Sequence, residues 1–279
     1  MPTVLITGAS RGIGRQLVAH LAAAGWDVVA GVRTAADAEA VAAIDRVSAV
    51  LLDVTDEAQI AALAGALPAR LDAVVNNAGI VVAGPVEAIH PAAWREQFEV
   101  NVFGQLAVTR AVLPKLRASQ GRVVFVSSVN GRLSVPMLGA YSASKFALEG
   151  AADALRVELR PWGVAVAVVE PAQTDTDMWR LADTMVTDTE AGLSAEFAAL
   201  YAGHIAGMKK FVPAARRMTV PAAKVAAVVE RALTARRPKA RYIVGVGPRL
   251  QVAFMSNVPV PVRDRIIGLI AGVPRRRRR

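Results

Sequence analysis

The 279-residue chain contains no cysteine, which excludes disulfides, thiolate nucleophiles and cysteine-ligated metals. Histidine is almost as scarce: His20, His90 and His204 stand apart without ligand spacing, so no metal site is expected. Aromatic residues make up only 5% of the chain and do not interleave with basic ones as a base-stacking surface requires. The net charge of +10 is concentrated at one end, because Arg275 to Arg279 supply five charges and leave +5 for the rest. That remainder is ordinary for an enzyme of this length, and no nucleic-acid partner is expected. No apolar run approaches the roughly 20 residues of a membrane span. The start, Met1-Pro2-Thr3-Val4-Leu5-Ile6-Thr7, lacks the basic segment and apolar stretch of a signal peptide, so the expected location is cytoplasmic.

What is present is a regular alternation. Hydrophobic residues make up 54% of the chain, enough for a sizeable core. Apolar runs rich in β-branched residues are expected as strands over 3–7, 27–32, 47–52, 73–76, 122–127, 164–169 and 242–246. Ala-rich segments are expected as helices near 13–24, 56–66, 92–117, 141–160 and 221–236. The strands are almost continuously apolar, as strands buried on both faces are. The alternation predicts an α/β fold: a doubly wound parallel sheet with helices on both faces. Two stretches break the rhythm. Residues 172–219 form an insert at the carboxyl end of a late strand, where a substrate lid belongs. Residues 248–279 are an apolar extension with Pro259 and Pro261, ending in the five arginines, so residues 1–247 are taken as one catalytic domain.

Directly after the first strand comes Thr7-Gly8-Ala9-Ser10-Arg11-Gly12-Ile13-Gly14, leading into an amphipathic helix. Strand, glycine turn and helix together bring backbone amides to a pyrophosphate at the positive end of the helix. The spacing, Gly-x-x-x-Gly-x-Gly, differs from the commoner Gly-x-Gly-x-x-Gly. About 20 residues past the glycines, where an NAD site places an acid on the ribose, this chain has Arg33. With Arg11 inside the turn, two guanidinium groups are available to a 2′-phosphate, which favours NADP(H); Ser10 and Thr34 are candidate hydrogen-bond partners. Asp53 with Val54 ends the third strand and Asn76-Asn77-Ala78-Gly79 the fourth, both at the ligand edge of the sheet. Asp53 either flanks the adenine or caps the next helix.

Farther on stand Asn101 in a long helical stretch, Ser127-Ser128 at the end of the fifth strand, and Tyr141-Ser142-Ala143-Ser144-Lys145 opening a helix. Tyr141 and Lys145, four apart, share a helix face. A nearby ammonium stabilises a phenolate, so Tyr141 is a candidate general acid for ketone reduction and general base for alcohol oxidation. Ser128 is a candidate donor to the developing oxyanion.

Taken together, Thr7-Gly8-x-x-x-Gly12-x-Gly14, Asn76-Asn77-Ala78-Gly79, Asn101, Ser128 and Tyr141-x-x-x-Lys145 resemble the short-chain dehydrogenase/reductase family, over residues 2 to about 246. The resemblance implies a Rossmann-type sheet of seven strands. It also implies a tetrad: Tyr141 as acid/base, Lys145 lowering its pKa and holding the nicotinamide ribose, Ser128 orienting the substrate oxygen, and Asn101 supporting a proton relay. Cofactor contacts are implied for Gly8, Ser10, Arg11, Gly12, Ile13, Gly14, Arg33, Asp53, Val54, Asn77, Ala78, Gly79, Pro171 and Thr176. One departure is Ala172, which stands where the family usually has glycine and restricts the backbone by comparison.

The apolar residues of the insert, among them Met178, Trp179, Leu181, Met185, Leu193, Phe197, Leu200, Tyr201, Ile205, Met208 and Phe211, point to a bulky hydrophobic alcohol or ketone of steroid, retinoid or lipid type. The alternative is that they pack on the sheet or on a partner subunit. The extension from Arg249 lies either on an anionic membrane surface or over a neighbouring subunit or the pocket. The resemblance implies a homodimer or homotetramer packed through residues 92–117 and 141–160. The competing functions are a reductase of small or acyl-carrier-bound carbonyls and a non-catalytic nucleotide-binding regulator.

Overall fold

The computed structural model describes residues 1–176, 180 and 182–273. Met178, Trp179, Leu181 and the five terminal arginines lie outside the described residues. Strands β1 (Thr3–Thr7), β2 (Asp27–Val32), β3 (Val47–Leu51), β4 (Ala73–Asn76), β5 (Arg122–Val126), β6 (Ala165–Glu170) and β9 (Arg241–Ile243) form one sheet in the order β3-β2-β1-β4-β5-β6-β9. Every pairing in it is parallel. Two short strands, β7 (Thr174–Asp175) and β8 (Val220–Pro221), pair separately. The doubly wound parallel sheet is therefore as the alternation predicts, and its seven strands are as the family resemblance implies. Its direction of winding reverses between β1 and β4, which opens a crevice at the carboxyl ends of those strands.

Successive residues of β1 serve opposite faces. Val4 and Ile6 join the core under helices α1 (Gly12–Ala23) and α9 (Ala222–Thr234), while Leu5 joins Phe125, Val112, Leu116 and Leu148 on the other side. That second layer is made by α3 (Glu57–Ala66), α5 (Gln105–Ser119) and α6 (Gly139–Glu158). Helix α2 (Ala35–Ala42), which the apolar pattern does not predict, is short, Ala-rich and capped by Thr34.

The helix expected over 92–117 is divided. Helix α4 (Pro91–Phe98) runs into a π-helical turn, Glu99–Gly104, before α5 begins. Such a turn is a local expansion of the helix, found chiefly where a side chain needs redirecting for function. Asn101 sits inside it.

The insert is more helical than its composition suggests. It contains α7 (Ala182–Ala191) and α8 (Ala195–Arg216), the latter capped by Ser194. The C-terminal extension also folds, as α10 (Val246–Asn257) and α11 (Val260–Ile270). Its prolines do not weaken either helix: Pro259 is the N-cap of α11 and Pro261 lies in its first turn, where no backbone donor is lost from the helix. Val252 and Met255 of α10 pack with Leu133, Val129, Ile266 and Ile267. The backbone of Gly272 lies directly on Gly207 of α8. The extension is thus tied both to the loop after β5 and to the insert. No helix among the described residues is long and apolar enough to cross a membrane.

Candidate active site

The glycine turn is built for close approach. Gly8 and Gly12 have φ of +62° and +55°, in the region open to glycine but strained for other residues. A side chain on Gly14 would run into the carbonyl oxygen of Gly8 and the amide of Asn77. Asn77 locks the neighbouring strand ends together: its Nδ2 donates to the carbonyls of Thr7 (3.0 Å) and Gly8 (3.1 Å). The backbone N–H groups of Asn77 and Ala78 both donate to Thr7 Oγ1 at 3.0 Å. Helix α1 starts with Arg11 as N-cap, makes no side-chain cap bond and has no acid in its first turn. Its first amides and positive dipole end are therefore left to an anion. Thr176 lies beside Gly12, 3.6 Å from where a β-carbon would stand, so the loop after β6 returns to the glycine turn. These features fit a dinucleotide.

At the far edge of the crevice, Arg11 and Arg33 are exposed, and neither guanidinium makes a hydrogen bond or ion pair among the described residues. Asp53 does not cap α3; Asp56 does, accepting from Ala58 N and Gln59 N. Asp53 instead closes the preceding turn, accepting from Thr55 N (2.9 Å) and Thr55 Oγ1 (2.7 Å). Burial works to raise its carboxyl, but the Thr55 bonds and the charge of Arg33 outweigh this and leave it below the ordinary range. Val54 is buried, its carbonyl against Gly104. Thr34 is occupied: its Oγ1 accepts from Asp37 N (3.1 Å) and donates to Asp37 Oδ2 (2.8 Å).

Ser128, Tyr141 with Lys145, and Asn101 arrive from three parts of the fold. Ser128 follows β5 by two residues, and its Oγ accepts from Asn130 N at 3.1 Å, which leaves the hydroxyl proton for an outside acceptor. Tyr141, in the first turn of α6, interacts with Ser128; burial pushes the phenol up, and the Ser128 hydrogen bond opposes this. Lys145 is 4% exposed. Its Nζ donates to the Val126 carbonyl at 3.0 Å and lies 5.8 Å from the centre of the Tyr141 ring. Burial lowers the ammonium to about 8, with Glu149 acting the other way. Asn101 is fully buried; its Oδ1 accepts from Ile80 N (2.8 Å) and its Nδ2 donates to Ile80 O (3.0 Å) and Ser144 Oγ (3.2 Å). Gly79 brings the groups together: a β-carbon there would be 3.3 Å from Asn101 Oδ1 and 3.8 Å from Lys145 Nζ.

Pro171 approaches from β6, its carbonyl accepting from Val129 N at 3.0 Å. Ala172 is not among the residues with positive φ, so alanine in place of glycine brings no backbone strain there.

The motif reading missed a ladder of buried amides. Gln97 Oε1 accepts from Val82 N (2.6 Å) and its Nε2 donates to Ile80 O (2.9 Å), while Gln105 Nε2 donates to Ala78 O (2.7 Å). With Asn101 between them, they hold residues 78–82 against one helix. The available signal was the i, i+4, i+8 spacing of amides among apolar residues. Also missed were two buried acids, Glu149 and Glu170, and the Arg241 that faces both.

The sequence pattern of the short chain dehydrogenase family matches residues 2–187. Among similar proteins, an NADPH-dependent 3-dehydrocapnine reductase of Ornithobacterium rhinotracheale is 32% identical, covering 95% of this chain and 96% of its own. Retinol dehydrogenase 5 of Mus musculus is 33% identical over 97% of this chain and 89% of its own. The crystal structure of a short chain dehydrogenase from Burkholderia cenocepacia J2315 in complex with NADP superposes with a TM-score of 0.74 at 25% identity, covering 95% and 97% of the two chains. The fold, the glycine turn and these likenesses agree, and the chain belongs to the short-chain dehydrogenase/reductase family of oxidoreductases, which work with nicotinamide cofactors on small-molecule alcohols or ketones.

Proposed function

We propose that this protein transfers a hydride between NADP(H) and a carbonyl or secondary alcohol, with Tyr141 as the proton donor and acceptor. The observation that carries this reading is that Asn101 and Lys145 meet at Gly79, with the Tyr141 ring beside Lys145 and Ser128 beside Tyr141, next to a turn that fits a dinucleotide. The nicotinamide, when bound, supplies or takes up the hydride. In reduction, Tyr141 gives its phenolic proton to the carbonyl oxygen. Ser128, its lone pair engaged by Asn130 N, donates to the same oxygen. The positive charge of Lys145 favours the phenolate against the burial that opposes it. Asn101 holds the turn at Ile80 in register with Ser144 on α6. Consumption of NADPH across a panel of aldehydes and ketones tests the reading: Tyr141→Phe should abolish it, and equal rates would refute it.

Arg11 and Arg33, exposed at the crevice edge, support a preference for NADP(H) over NAD(H), as does the absence of an acid at the end of β2. The likenesses to a retinol dehydrogenase and to a 3-dehydrocapnine reductase support a bulky apolar substrate. So do the half-buried Met185, Phe197, Tyr201 and Met208 on α7 and α8, which we read as the wall of a substrate lid. Helix α8 is joined to the loop after β4 by Tyr201 Oη donating to Glu87 Oε1 at 2.6 Å. Turnover confined to small polar or carrier-bound carbonyls would overturn the substrate assignment.

We assign self-association to the outer side of α5 and α6, where Phe103, Phe146 and Val157 are exposed and a groove is lined by Phe103, Leu106, Ala107 and Arg110. Light scattering should find a dimer or tetramer. The outer side of the extension exposes Leu250, Phe254, Val260, Val262, Leu269 and Ile270, and from Arg249 onward the chain has eight arginines against the single acid Asp264. That pairing of apolar surface and positive charge fits an anionic bilayer surface reached from the cytoplasm. The full chain should sediment with phosphatidylserine-containing vesicles and not with phosphatidylcholine alone. No sedimentation would end the idea. Loss of self-association in Leu250→Asp without any effect on vesicles would assign the face to a second copy.

A further inference from the structure

Behind the proposed catalytic groups lies a buried ionic cluster that no step of the proposed reaction uses. Glu149 stands one turn after Lys145 on α6, and Glu170 ends β6; they are 3% and 0% exposed. Ser127 Oγ donates to Glu149 Oε1 at 2.9 Å. The Nε of Arg241, on β9, faces both acids, 3.2 Å from Glu149 Oε2 and 3.4 Å from Glu170 Oε1. Arg132 approaches Glu170 Oε1 at 3.7 Å. On the outer side, Arg241 Nη2 pairs with Asp153 Oδ2 and Arg156 Nη1 with Asp153 Oδ1, each at 2.5 Å. Gly131 is packed so closely that a β-carbon would lie 2.5 Å from Glu149 Oε1. The groups around Lys145 are Tyr141 and Glu149 from its own helix, the Val126 carbonyl from β5, and Asn101 across Gly79.

We propose that Glu149 is a positioning residue for the reaction: through Ser127 it fixes the segment after β5 that carries Ser128, and its negative charge keeps Lys145 in the ammonium form, while Glu170, the acid without hydrogen-bond partners, is the one of the pair that gives up its proton last. This rests on the roles given above to Ser128 and Lys145.

The two carboxyls are not equivalent. Glu149 accepts hydrogen bonds from Ser127 and Arg241, which favour its charged form. Neither oxygen of Glu170 has a hydrogen-bond partner among the described residues, so Glu170 is the better place for a proton. Burial raises both acids; Ser127, Arg241 and Arg132 draw Glu149 only part of the way back, and it stays above the ordinary carboxylate range. Glu170, raised by burial and then by the charge of Glu149, reaches about 7. A charge on Glu149 one turn below Lys145 counters the burial that would otherwise strip the lysine of its proton.

The test is a titration of Lys145 itself, in cofactor-free protein labelled isotopically at the lysine ε-carbon, with its NMR signal assigned by loss in Lys145→Arg. The wild-type midpoint is expected near pH 8. Glu149→Gln, which keeps the shape but not the charge, should lower it by about 1 pH unit. Ser127→Ala, which leaves Glu149 less well stabilised as an anion, should lower it by a smaller amount and serves if Glu149→Gln does not fold. A purely structural Glu149 would change the melting temperature without moving the midpoint; unchanged midpoints in the folded variants overturn the proposal. Because neither substrate nor cofactor is needed, a failure of the functional reading would appear separately, as absent turnover in the wild type.

Discussion

The two sides of the crevice are held in different ways. On the cofactor side, Thr7, Gly8, Asn77 and Ala78 are tied by four hydrogen bonds of 3.0–3.1 Å, and Gly14 has no room for even a methyl group. On the side proposed for the substrate, α7 and α8 carry half-buried apolar side chains and reach the opposite loop through the surface hydrogen bond Tyr201–Glu87. The first side is specified by backbone geometry, which tolerates few alternatives. The second is specified by side-chain volume, which can be repacked at small cost. A common cofactor and a variable substrate suit that division, since binding residues tend to sit on loops and inserts around a fixed scaffold.

Substitutions on the two sides should therefore differ in size. Gly14→Ala should weaken NADPH binding about 100-fold, as read by cofactor fluorescence, because the methyl group displaces the Gly8 carbonyl; near-normal binding would show the turn to be less constrained than described. Arg33→Ala should lose about tenfold in NADPH affinity while leaving NADH unchanged, the difference expected for one charge-assisted contact to the 2′-phosphate. Phe197→Ala should change KM for the best carbonyl substrate by about threefold with cofactor affinity unaltered. If Phe197→Ala disturbed the cofactor as much as Arg33→Ala, the two sides would not be separable.

The buried acids add a pH dependence on the scaffold side. Glu170 is raised to about 7 when folded, above its unfolded value near 4.3, so the folded state binds the proton more tightly. Its contribution is least unfavourable below the unfolded value, and stability falls as pH rises between the two values. Glu170→Gln should remove that slope and gain on the order of 1 kcal/mol or more above pH 7 in urea unfolding. An unaltered slope would place the proton elsewhere.

Much of this was legible in the sequence, for reasons that differ by region. The central strands could be read because burial on both faces demands unbroken apolar runs, and Gly8, Gly12 and Gly14 because their spacing serves a backbone turn. Tyr141 and Lys145 could be paired because helical periodicity puts them on one face. Asn101 was found by motif, but its setting was not: a π-helical turn leaves no periodic mark in a six-residue segment. Helices α7, α8, α10 and α11 were hidden by mixed composition and by prolines whose placement at the start of α11 only the fold reveals. The local bonds of Thr34 and Asp53 were not legible: Thr34 caps α2, and Asp53, read as either an adenine flank or a helix cap, closes the turn at Thr55. Glu149, Glu170 and Arg241 lie far apart in sequence and meet through the pairing of β6 with β9 and the packing of α6 on β6.

The central claim is that Tyr141, supported by Ser128 and Lys145, moves the proton. NADPH consumption with an apolar aldehyde or ketone, by wild type and by Tyr141→Phe, tests it most directly. A loss of about 1000-fold in kcat with NADPH affinity retained is the predicted result; equal turnover by the two proteins would contradict it.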